Sequence, residues 1–64
     1  MAVKELSYLI DHDPRYSKAF YYRAVSYYEL KDFQKGYNDV ITAKKMGYKI
    51  DEKFLQELSS RLKP

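Results

Sequence analysis

Apolar residues recur three and four positions apart along most of this 64-residue chain, which is the spacing of one buried stripe on a helix. Residues 2–10 place Ala2, Leu6, Leu9 and Ile10 on such a stripe, with Lys4 and Glu5 on the other side. Pro14 disfavours a helical residue before it, so this helix is expected to end ahead of it, with His12 and Asp13 in a turn. A second helix is expected from Pro14 or Tyr16 to about Leu30. Phe20, Ala24 and Tyr27 form one of its stripes, and Tyr21, Val25 and Tyr28 form another one position around. Lys31 and Asp32 break the pattern, and Asp32 is placed to cap a third helix over 33–46 that carries Phe33, Tyr37, Val40, Ile41 and Ala43. Lys44 and Lys45 suit the negative end of that helix, and Gly47 suits its stop. Asp51 opens a last helix with Phe54, Leu55, Leu58 and Leu62 on its apolar side, ending at Pro64. Four helices with short connections predict antiparallel neighbours and an all-α fold.

The apolar band of the second helix is wider than burial against one neighbour requires. The chain also carries an internal repeat. At an offset of 34 residues, Ala2 falls on Gly36, Leu6 on Val40 and Leu9 on Ala43. The same offset brings Phe20 onto Phe54, Tyr21 onto Leu55, Ala24 onto Leu58 and Tyr28 onto Leu62. One period thus relates both helix pairs, and the chain reads as half a repeat, one full repeat and a closing helix.

A helix–turn–helix period of this length resembles the tetratricopeptide repeat, and residues 17–50 carry the likeness. Phe20, Ala24 and Tyr27 match the aromatic, small and tyrosine positions of that repeat's first helix. Gly36, Val40 and Ala43 match the small or apolar positions of its second. Asp13-Pro14 looks like the end of a preceding repeat, and Lys31-Asp32-Phe33 looks like the Gly-Asp-Tyr turn between the helices. The resemblance implies an α-solenoid of antiparallel hairpins. Residues 1–14 would then be the second helix of a partial repeat, 15–48 a full repeat and 51–64 a capping helix. It also implies a concave groove lined by Lys18, Tyr21, Tyr22, Val25, Tyr28 and Glu29. For Tyr21 and Tyr28, simple coverage of a neighbouring helix is an equal alternative. Arg23 departs from the usual leucine, and an ion pair with Asp39 is expected to accompany it. Tyr48 replaces the usual proline after the second helix. Gly36 lies mid-helix, where glycine costs about 1 kcal/mol relative to alanine. Close approach of the preceding helix at Ala24 would explain it.

Composition narrows the function. The chain has no cysteine, so neither a disulfide nor a thiolate metal site is available. Domains this small bury only about 60% of their unfolded surface and are marginally stable. No segment is apolar for long enough to span a membrane, so a soluble chain is expected, cytoplasmic by default. Formal net charge is +3, with Lys and Arg interleaved among Asp and Glu. Such alternation describes a solvated helical surface better than a phosphate-binding stripe, and ranks nucleic-acid binding a distant third. His12 is the sole histidine, the serines have no evident base, and no glycine-rich phosphate loop occurs. No enzyme, cofactor or metal is expected.

A protein–protein interaction module ranks first, binding a peptide or protein segment in the groove. The alternative is a homodimer. The first helix lacks a partner on its N-terminal side and is expected to expose Val3, Leu6 or Ile10 for self-association. Such an open face also fits a fragment of a longer repeat array.

Overall fold

The computed structural model describes residues 2–62; the expected helix end at Pro64 and the tail residue Lys63 lie outside them. Its helices are α1 (Val3–His12), α2 (Ser17–Glu29), α3 (Phe33–Lys45) and α4 (Glu52–Leu62). They pack in sequence, α1 on α2, α2 on α3 and α3 on α4. Each contact runs antiparallel. Gly36 of α3 meets Ala24 and Leu58, while Arg23 reaches on to Asp39 and Lys44 to Glu52. The Cα envelope measures 35 × 23 × 15 Å, a slab thin enough to leave every helix a water face.

Local chemistry explains most of the ends. α1 ends ahead of Pro14 as expected, but its last residue is His12, which was expected in the turn, because Pro14 restricts only the residue before it. Asp13 leaves the helical conformation there (φ −140°, ψ 86°), and its N–H still reaches the Leu9 carbonyl at 2.9 Å. α3 starts at Asp32, whose side chain accepts from the Lys35 N–H at 3.4 Å. It ends with Tyr48 N–H donating to the Ala43 carbonyl and Gly47 N–H to that of Lys44, both at 3.0 Å, with Gly47 at φ 93°. α2 closes with the same pair of bonds, Asp32 N–H to Tyr27 and Lys31 N–H to Tyr28. Here the left-handed residue is Lys31, at φ 64°, a conformation that glycine adopts without cost. Asp51 opens α4, accepting from the Lys53 N–H at 2.9 Å.

Two apolar clusters form the core. One joins Leu6, Ile10 and Ala19 between α1 and α2, with Leu9 and Phe20 packed against it. Phe20 therefore turns toward α1, whereas Tyr27, expected on the same stripe, lies on Gly36. The other cluster joins Ala24, Val40 and Leu58 under a roof of Tyr28, Phe33, Tyr37, Ile50, Phe54 and Leu55. A Cβ added at Gly36 would stand 3.2 Å from the Ala24 carbonyl oxygen and 3.3 Å from a Leu58 methyl. The mid-helix glycine thus permits α2 and α4 to approach α3 closely in the second cluster.

Arg23 and Asp39 pair across α2 and α3 as expected. The guanidinium donates from Nε to Oδ2 at 2.7 Å and from Nη2 to Oδ1 at 2.8 Å. A third donor, Nη1, reaches Ser7 Oγ of α1 at 3.1 Å, so one side chain ties three helices. Asp39 is only 6% exposed, and this forked geometry is what makes a carboxylate tolerable there. The hydrogen bond from Arg23 to Asp39 holds the guanidinium above its ordinary pKa, against the opposing effect of burial. Among the described residues no buried side-chain nitrogen or oxygen lacks a partner.

Candidate interaction surface

The tyrosines of α2 separate by helical position. Tyr21 and Tyr28 are seven residues apart, two turns along one stripe, and α4 lies on that stripe. Tyr21 packs edge-on to Phe54 at 5.7 Å and against Tyr48 at 5.2 Å. Burial raises its phenol pKa first, with Tyr48, Asp51 and Tyr22 adding to the shift. Tyr28 meets Phe54 at 5.7 Å and Phe33 at 5.4 Å, and donates its hydroxyl to Glu57 at 3.1 Å. The Glu57 carboxyl is held below its ordinary value by Arg61 first and by this hydroxyl second. These two rings cover the neighbouring helix. Tyr48 shares in the covering, and its N–H, which a proline would lack, completes the α3 cap.

The remaining predicted groove residues stay together on the open side of α2. Tyr22 is 40% exposed, and the Lys18 ammonium stands 5.6 Å from its ring centre. Val25 is half-buried, and Lys18 and Glu29 are exposed. Tyr22, Val25, Ser26 and Glu29 line a shallow depression of about 280 Å³. Ser26 and Glu29 also border a second depression of about 310 Å³, shared with Ala2, Val3 and Leu30. Ser26 and Leu30, the latter 69% exposed, were not expected here. Ser26 lies one turn from Tyr22 and Glu29, so helical spacing alone was enough to include it. Leu30 follows the last turn, beyond any stripe.

α2 differs from its neighbours in charge order. Its first turn holds Lys18 and no acidic residue, its last residue is Glu29, and Tyr16 supplies no side-chain cap. Both charges oppose the helix dipole. The other three helices carry an acidic residue or cap at the start and a basic residue at the end.

The expected self-association residues do not form an open face. Leu6 and Ile10 are 1% and 8% exposed, because they turn toward Ala19 and Phe20 of α2. Val3 is half-buried and borders the depression with Leu30. The uncovered side of α1 is instead a hollow of about 510 Å³ lined by Lys4, Glu5, Tyr8 and Leu9. Tyr8 is 62% exposed and stacks on His12 at 4.0 Å, and His12 Nδ1 lies 3.0 Å from the Tyr8 carbonyl oxygen. His12 is thus the last residue of α1 rather than a turn residue.

Among the described residues no group of three or more His, Cys, Asp or Glu is placed to hold a metal ion. No helix among them is long and apolar enough to cross a membrane. No protein-family model matches the chain, and comparison with curated proteins and with solved structures finds no match.

Proposed function

We propose that the chain is a tetratricopeptide-like interaction module that binds a peptide or protein segment along the open side of α2. The observation that carries this reading is the uncovered apolar surface of Tyr22 and Val25, set between Lys18 and Glu29 and backed by rings locked onto α4. A rigid floor lowers the ordering cost of binding, and a tyrosine contributes large contact area with a polar handle. The likeness to the repeat family supports the same surface. Homodimerisation through Val3, Leu6 and Ile10 loses its basis with Leu6 and Ile10 inside the α1–α2 contact. Nucleic-acid binding gains no support, since Arg23, Lys44 and Arg61 are each paired with a carboxylate. We read the module as non-catalytic.

Selection of peptides from a random display library on the 64-residue chain tests the proposal, with counter-selection on the Tyr22→Ala/Val25→Ser double variant. Peptides that are retained by the parent and lost by the folded variant are expected. Enrichment that is indifferent to the two substitutions would sink the reading.

A further inference from the structure

α3 is covered on two sides, and α1 on one. On α3 the side toward α2 presents Gly36, Asp39 and Ala43, all buried. There Gly36 admits the Ala24 backbone and Asp39 takes the forked guanidinium of Arg23. The 34-residue register places Ala2, Glu5 and Leu9 of α1 at these three positions. Leu6, the counterpart of Val40, is buried against α2 just as Val40 is buried between Ala24 and Leu58. Yet Ala2 and Glu5 are exposed, Leu9 is only half-buried, and the hollow of Lys4, Glu5, Tyr8 and Leu9 lies open beside them. Among the described residues Glu5 has no ion pair.

We propose that this side of α1 is a docking site for an amphipathic helix other than α1–α4, one that brings an arginine to Glu5 as Arg23 is brought to Asp39. The chemistry of the occupant follows from the α2–α3 contact. A guanidinium is needed because a fork of donors matches a carboxylate in two parallel bonds. A small residue must follow it, since Ala24 follows Arg23 where the helices touch. An aromatic residue four places after the arginine would lie on the Ala2 side, as Tyr27 lies on Gly36. The apolar bodies of Tyr8 and Leu9 supply the area.

A second copy of this chain does not meet these terms through its closing helix. In the same register α4 carries Glu57 at the place of Arg23 and Leu58 at that of Ala24. It would set carboxylate against carboxylate and a leucine where a small residue is wanted. Its Leu58 is moreover buried in its own core, and α2 of a second copy is held between α1 and α3. The repeat therefore does not propagate from chain to chain, and the occupant is a helix other than the four described.

A synthetic peptide of residues 16–31, blocked at both ends, is a ready probe because it carries the required arginine, small residue and aromatic residue. It is titrated into the isotope-labelled 64-residue chain while backbone amide shifts are followed by NMR. Saturable shifts at Glu5, Tyr8 and Leu9 are expected. Glu5→Lys, at an exposed position that leaves the circular dichroism unchanged, should weaken binding about tenfold or more, the worth of a charge-assisted hydrogen bond. A peptide with Arg23→Glu should lose the parent chain and bind Glu5→Lys instead. No shift at these residues at millimolar peptide would overturn the proposal. So would binding unchanged by Glu5→Lys, or shifts confined to Asp39 and Val40, which would mean that the peptide displaces α2 from α3.

Discussion

α2 and α3 are both thirteen residues long and lie against each other, but they are held in helical form by different means. α3 follows the local rules at both ends: Asp32 caps its start, Lys44 and Lys45 stand at its negative end, and Gly47 takes the left-handed turn. α2 breaks each of them, with no side-chain cap, Lys18 and Glu29 set against the dipole, and a lysine in the left-handed turn. Its helicity comes from its neighbours. Ala19 and Phe20 are packed by α1, Ala24 and Tyr27 by α3, Tyr21 and Tyr28 by α4, and Arg23 is anchored on Asp39. Where local rules fail and tertiary contacts compensate, a functional constraint is a common cause. The open surface proposed for binding lies on this helix.

The contrast can be broken most severely at the contact itself. Gly36→Leu should cost about 3 kcal/mol or more, since the new side chain meets a backbone carbonyl that cannot yield without separating α2 from α3. In a domain this small that abolishes cooperative unfolding, as read by circular dichroism on heating. Native ellipticity and an unchanged Tm would refute the packing argument. Arg23→Ala comes next, at about 3 kcal/mol in urea denaturation, because it strands the Asp39 carboxylate. The Arg23→Met/Asp39→Leu double variant should recover most of that loss; failure to recover would mean that the bond to Ser7 matters more than the pair.

Weaker changes sharpen the contrast by repairing α2 locally. Lys31→Gly relieves the left-handed turn and should stabilise the fold by about 1 kcal/mol. A destabilised Lys31→Gly would show that the lysine makes a compensating contact. Lys18→Glu with Glu29→Lys aligns both charges with the dipole and should add about 0.5 kcal/mol, fading in high salt. If the surface binds peptide, the same pair should weaken binding while raising Tm, so stability and function would part. The smallest effect concerns pH. The Glu57 carboxyl lies below its ordinary value of 4.5 in the folded chain. Its contribution is therefore present above about pH 4.5 and is lost as pH falls through the lowered folded value. Glu57→Gln should remove this acid-side component from the stability profile. A profile identical to that of the parent would show that Tyr28 and Arg61 do not depend on the charge.

Much of the helix layout was legible because each boundary had a local cause. Pro14, Asp32, Gly47 and Asp51 act through their own backbone or side-chain chemistry, so their effect survives without knowledge of the neighbours. The end of α1 was misjudged by one residue, His12, since proline restricts only the residue before it. The destination of each aromatic was less legible. Two adjacent stripes on α2 are equally apolar, and nothing in the spacing says which one meets α1, α3 or α4. The Arg23–Asp39 pair was anticipated through the family likeness, while the third bond to Ser7 was not, because it spans helices whose relative rotation is a tertiary matter.

By itself the sequence determined that the chain is helical, where most of its helices begin and end to within a few residues, and which residues are apolar enough to be buried. These follow from short-range chemistry and helical periodicity. Tertiary structure alone decided that Leu6 and Ile10 turn inward while Glu5 and Tyr8 stay open, and that Tyr21 and Tyr28 serve α4 while Tyr22 remains uncovered. The reason is geometric. A helix with an apolar band two stripes wide is compatible with several rotations about its axis, and only the simultaneous packing of its neighbours selects one.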